Sequence, residues 1–192
     1  MKSGTVIVGI VLLGNLVLQT GCSGSNGETS AAQSLSDSFT VEMTMIIDDL
    51  EGAGEITRFG EGEWSVDFTE PSSLAGVVLE FSGSDITASY QGFAFSVPQS
   101  AMPTKSMLLH LIQVVDTLAQ QEKIDGKAVD DYVVVEGDSE GNPYTLTLTQ
   151  DGELVGFEMD NMDAIFSFST FQTGVAERTT TPVATETTNS TS

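Results

Sequence analysis

His110 is the only histidine of this 192-residue chain and Cys22 its only cysteine. Proton relay or thiol chemistry would have to run through one of them. A general base must stand within hydrogen-bond reach of the group it serves. His110 reads with Ser106, Gln113 and Thr117 as the polar stripe of a helix, which predicts that it faces solvent. With one histidine and the single thiol far away at the N-terminal end, neither a Ser-His-Asp nor a Cys-His set can be assembled. Zinc lacks its usual ligands for the same reason.

Carboxylates are plentiful, so calcium and glycoside chemistry need separate treatment. Glu136-Gly137-Asp138-Ser139-Glu140-Gly141 places acids at alternate positions with glycine sixth, the opening spacing of an EF-hand loop. The twelfth position is Thr147, where a bidentate Glu is needed, and the flanks read as strands. An acidic hairpin tip is the expected structure here, at Asp48-Asp49-Leu50-Glu51 and at Asp160-Asn161-Met162-Asp163. Glycoside hydrolysis needs two acids facing across a cleft, and no spacing singles out such a pair. Gly52-Ala53-Gly54 and Gly60-Glu61-Gly62 are too short for a phosphate-loop fingerprint, and Glu55 and Glu61 beside them would repel phosphate. The chain reads as a non-enzyme with no cofactor and no metal.

Charge narrows the partners. The chain carries 28 acidic and 6 basic residues, a formal net charge of −22. A polyanion with no basic patch cannot release counterions from a phosphate backbone, which excludes nucleic acid. It is also repelled by an anionic leaflet, so any membrane association must come from something other than basic residues.

The apolar residues carry more information. Met43, Met45, Trp64, Phe81, Phe93, Phe95, Met107, Leu111, Phe166 and Phe168 form a methionine- and aromatic-rich set. Thioethers suit adaptable apolar sites, so these ten residues are the candidate ligand-binding positions. Two readings stand side by side. In one the set lines a hollow that admits an acyl chain or apolar peptide; in the other it fills a packed interior.

These residues are positioned by period-two stretches and one helix. Val41, Met43, Met45 and Ile47 alternate with polar residues, as do Trp64, Val66 and Phe68. Further strands are predicted near Gly54 to Phe59, Val77 to Phe81, Ile86 to Tyr90 and Phe93 to Val97. Met107, Leu108, Leu111, Ile112, Val115 and Leu118 then recur at helical spacing between Lys105 and Gln121. After a polar connection containing Asp125-Gly126, strands resume at Tyr132 to Glu136, Tyr144 to Thr149, Leu154 to Met159 and Ala164 to Phe171. Short meander connections predict antiparallel pairing. One helix cannot cover a flat sheet of about ten strands. The expected fold is therefore mainly β (α+β): a single highly curved antiparallel sheet with the amphipathic helix on its concave face.

At the N-terminus, residues 1–21 read as a signal peptide, in which Thr5 to Leu18 is an apolar run of the length of a secretory signal and short of a membrane span. Small residues precede the lone cysteine in Leu18-Gln19-Thr20-Gly21-Cys22, which resembles a bacterial lipobox. Gln19 stands where that motif has leucine. The resemblance implies a diacylglyceryl group on Cys22, acyl chains such as palmitate, and an exported protein lipid-anchored on the extracytoplasmic face of the cell membrane. Ordinary cleavage after Ser23, leaving no lipid, is the alternative. Residues 22–37 are Gly/Ser-rich and read as a flexible tether. Residues 175–192 read as a disordered Thr-rich tail.

The layout of residues 38–174 resembles the LolA/LolB-type half-barrel of periplasmic lipoprotein carriers. The resemblance rests on Trp64-Ser65-Val66-Asp67-Phe68-Thr69-Glu70-Pro71, the mid-chain helix, and a closing meander from Tyr144 to Leu154 and Ile165 to Phe171. It implies a membrane-anchored lipoprotein that holds a lipid or acyl chain in its hollow without catalysis. The alternative is a surface interaction or structural lipoprotein with a fully packed core that contacts an envelope protein partner.

Overall fold

The computed structural model describes residues 27–47, 49–98 and 107–174. Seven strands come first: β1 (Glu28–Ala31), β2 (Phe39–Ile47), β3 (Leu50–Gly60), β4 (Glu63–Glu70), β5 (Val77–Ser82), β6 (Asp85–Tyr90) and β7 (Phe93–Pro98). The helix α1 (Met107–Ala119) follows, and then β8 (Ile124–Val129), β9 (Tyr132–Ser139), β10 (Asn142–Thr149), β11 (Leu154–Met159) and β12 (Ala164–Thr173). All twelve strands join one antiparallel sheet in the order β1-β8-β9-β10-β11-β12-β2-β3-β4-β5-β6-β7.

Alternation builds the sheet's inner face. Phe39, Val41, Met43 and Met45 of β2 are buried at every second position while Glu42 and Thr44 between them are exposed. Register carries the pattern across: Met43 lies opposite Gly54, which lies opposite Phe68, and Val41-Ile56-Val66 form the next row. Gly52 and Gly54 leave room for the large neighbours. A Cβ on Gly52 would meet the Met45 side chain, and one on Gly54 would meet the Asp67 carbonyl. On α1 the buried residues Met107, His110, Leu111, Val114, Val115 and Leu118 recur at three- and four-residue spacing and face the same interior.

The expected half-barrel is not what the chain forms. The sheet has twelve strands instead of about ten, is open between the edges β1 and β7, and neither closes nor curls strongly. One helix cannot cover a flat sheet of this width. The chain meets that need for cover only in part. The segment before β2 folds in as additional cover, burying Ala31 and Leu35. The far end of the inner face, at β7, is left uncovered by the described residues, with Phe93 77% and Phe95 58% exposed.

The tether expected at 22–37 needs correction over its described part. Glu28–Ala31 is the edge strand β1, paired with β8 in the register Thr29 to Gly126 and Ala31 to Ile124. The Gln33 amide donates to the carbonyls of Leu118 and Gln121, at 2.9 and 2.7 Å, and so satisfies the C-terminal end of α1. The folded body thus begins at residue 28, not 38. The polar connection expected around Asp125-Gly126 is the strand β8. The signal segment, Cys22 and the Thr-rich tail lie outside the described residues.

Candidate functional site

Eight of the ten candidate lining residues come together, and they fill the interior instead of enclosing a space. Met43, Met45, Trp64, Phe81, Met107, Leu111, Phe166 and Phe168 are buried in one cluster shared with Phe39, Leu146 and Phe157. Trp64 and Phe166 have no exposed surface. Ring centroids lie 5.7 Å apart for Phe39–Trp64, 6.2 Å for Phe157–Phe166 and 6.4 Å for Phe166–Phe168. Each such contact adds about 0.5–1.5 kcal/mol beyond area burial. The ligand hollow expected from the half-barrel is therefore overturned: among the described residues that volume is occupied by the protein's own side chains. The remaining two candidates, Phe93 and Phe95, stand on the uncovered edge strand.

His110 is not solvent-facing. It is 1% exposed, and its Nδ1 lies 2.9 Å from the hydroxyl of Ser139 at the end of β9. Its Nε2 is buried with no partner among the described residues. The ring is bonded to a hydroxyl and to no carboxylate among the described residues, so the pair lacks the third member that orients a catalytic histidine. Its role in this geometry is to join α1 to β9.

A second polar junction went unread in the sequence. Asp116 of α1 accepts from the Arg58 Nε at 3.0 Å, the Gly62 backbone N–H at 2.9 Å and the Trp64 indole N–H at 3.1 Å. The Arg58 guanidinium also donates to the carbonyls of Ser36 and Asp37 and sits 5.7 Å from the Trp64 ring. One carboxylate thereby ties the helix to β3, to the β3–β4 turn and to β4, while Arg58 draws in the segment before β2. Inward parity was the available signal, because Gly52, Gly54, Ile56 and Arg58 occupy every second position of β3.

Glu136 to Gly141 closes the β9–β10 hairpin, where the Asp138 carboxylate accepts the Gly141 N–H at 2.7 Å. Among the described residues no group of three His, Cys, Asp or Glu side chains is placed to hold a metal ion. Tyr144 stacks on Phe157 at 5.8 Å, and burial pushes its phenol above the ordinary value of 10.0.

No family model matches the chain, and no curated protein is similar to it. Solved structures offer partial likeness. An uncharacterized conserved protein from Thermus thermophilus is 14% identical, with a TM-score of 0.48 over 73% of this chain and 80% of that one. A LolA superfamily protein from Nitrosomonas europaea is 13% identical, with a TM-score of 0.36 over 73% and 88%. A putative outer membrane lipoprotein-sorting protein domain from Vibrio parahaemolyticus is 8% identical, with a TM-score of 0.38 over 74% and 88%.

Proposed function

We propose that the chain is an interaction module of the cell envelope, a packed structural domain that works by contacting a protein partner. The observation that carries this reading is the filled interior: Trp64, Phe166, Met43 and Leu111 are spent on each other and on the helix. The surface that remains is strongly acidic and ends in an uncovered aromatic strand. The apolar run Thr5 to Leu18 and the lone Cys22 support export and attachment to the extracytoplasmic face of the membrane through a thioether-linked lipid. Two acyl chains anchor stably where one is marginal.

Native mass spectrometry tests the reading. The chain, purified without detergent and offered excess phospholipid, is expected to keep its protein-only mass apart from any covalent lipid. A non-covalent adduct of lipid mass, lost on solvent extraction and regained on adding phospholipid, would restore the carrier and end this proposal. Attachment is checked separately: Cys22→Ser is expected to leave the detergent phase in a partition experiment, and unchanged partitioning would remove the anchor.

A further inference from the structure

The two edges of the sheet are built differently. β1 is four residues long, carries Glu28 and turns Ala31 into the core. β7 is six residues, Phe93-Ala94-Phe95-Ser96-Val97-Pro98, without a charged side chain. Edge strands are normally blunted by charge, bulges or shortness, and β7 has only its terminal proline.

The geometry of the hairpin says which groups β7 offers. Gln91 (φ 50°) and Gly92 (φ 84°) both have positive φ, as a two-residue type I′ turn requires. Such a turn makes its flanking pair, Tyr90 and Phe93, a hydrogen-bonded one. Bonded and non-bonded pairs alternate along an antiparallel ladder. Phe93, Phe95 and Val97 therefore spend their backbone groups on β6, while the N–H and C=O of Ala94 and Ser96 point away from the sheet. Pro98, next in that outward set, has no N–H to offer.

The side chains follow the same parity. Phe95 is paired with Ala88 and Val97 with Ile86, and Ile86 and Ala88 are buried on the inner face. Phe93 and Phe95 belong to that face yet are largely exposed, so it runs one strand past its cover. The chain leading up to β7 carries charge of one sign. From Phe59 to Thr104 there is no Lys, Arg or His, whereas Glu61, Glu63, Asp67, Glu70, Glu80 and Asp85 all fall in that stretch. Asp85, next to the buried Ile86, points to the outer face beside β7.

We propose that β7 is a docking edge for an extended segment of a cationic protein, added antiparallel as a further strand. Its backbone pairs with Ala94 and Ser96. Its apolar residues, at alternate positions, cover Phe93 and Phe95. The Lys or Arg residues between them lie on the outer face, within reach of Asp85. A second copy is disfavoured as occupant because it brings another body of charge −22 to the same edge. This rests on the reading of the chain as a packed interaction module and names the partner's chemistry.

The test uses the full chain and a fluorescein-labelled peptide alternating Val with Lys. Controls are the same peptide with Glu for Lys and a shuffled peptide of the same composition. Anisotropy at physiological salt is expected to show saturable binding of the alternating Val-Lys peptide only. Affinity should fall at least tenfold in Ser96→Pro, which deletes an outward N–H without touching the β6–β7 ladder. It should fall similarly in the double variant Phe93→Ser, Phe95→Ser. Thermal melting verifies folding, and Ala94→Pro replaces Ser96→Pro should the latter not fold. Equal affinity in a folded proline variant, or equal binding of the shuffled peptide, overturns the inference. So does a dimer of the parent that Ser96→Pro dissociates, or binding that appears only once residues 99–106 are replaced by a Gly/Ser linker. Lipid uptake into the same preparations would defeat the packed-module reading itself, whereas absent peptide binding with a lipid-free core defeats only this inference.

Discussion

Replacing Asp116 by alanine removes a carboxylate that fastens α1 to β3 and β4. The Arg58 side chain is 4% exposed and the Asp116 carboxylate 13%, so the ion pair is shielded from water. After Asp116→Ala the guanidinium keeps the Ser36 and Asp37 carbonyls, each at 3.2 Å, but has no counter-charge. The Gly62 and Trp64 N–H groups lose the Asp116 carboxylate at the same time. Breaking a buried pair from one side costs about 3–5 kcal/mol. For a domain of this size 1 kcal/mol moves the midpoint by about 2–4 °C, so the melting temperature should drop by roughly 6–20 °C. The double variant Arg58→Met, Asp116→Leu removes both charges of the pair and takes the carboxylate from the Gly62 and Trp64 N–H groups, and should lose about 1–3 kcal/mol. Urea unfolding followed by fluorescence of Trp64, the only tryptophan, and by circular dichroism measures all three proteins. An Asp116→Ala protein within about 1 kcal/mol of the parent would refute the reasoning, as would a double variant less stable than Asp116→Ala.

Phe166→Ala empties a site with no exposed surface. It should cost about 3–5 kcal/mol and leave a dry apolar cavity that benzene stabilises in a thermal-shift assay; a small loss without a benzene effect would mean the interior was not filled. Gly152→Ala puts a Cβ at a position with φ +84°, against the Ala32 carbonyl. A non-glycine residue held there costs about 1–3 kcal/mol, and amide exchange over residues 28–37 should quicken ahead of β10 and β11; uniform exchange would refute the placement. Burial raises the Tyr144 phenol, so the folded state holds that proton more tightly than the unfolded chain. Its contribution is complete below the ordinary value of about 10 and is lost as pH rises through the raised one. Tyr144→Phe should flatten the alkaline loss in urea melts, and an unchanged slope would exclude Tyr144 as its source.

Ten of the strands and α1 were legible because their apolar residues keep a period, from Val41-Met43-Met45 to Phe166-Phe168. β1 and β8 were not. Glu-Thr-Ser-Ala and Ile-Asp-Gly-Lys-Ala-Val show little alternation, and their ladder holds them through backbone bonds that any sequence can make. His110 was misplaced by residue type instead of position. Met107, His110, Leu111, Val114 and Leu118 share one helical face, and spacing alone puts the ring inside. Parity placed Phe93 and Phe95 on the correct face, but their exposure depends on how far α1 and the N-terminal segment reach. That reach is a property of the assembled sheet. The same dependence undid the half-barrel, because curvature was inferred from a need for cover that the chain meets in part with residues 28–37 and in part leaves unmet.

The placement of β1 sets a geometry for any attachment at the N-terminus. Glu28 stands six positions after Cys22, a leash of about 20 Å at full stretch. β1 and β7 are opposite margins of the sheet, eleven strand-to-strand steps apart, or about 50 Å measured along it. Were the chain held at Cys22, the β1 margin could lie no further from the point of attachment than that leash. The aromatic margin of β7, at the other end of the sheet, would be the part of the body free to stand furthest from it, more than twice the leash length away.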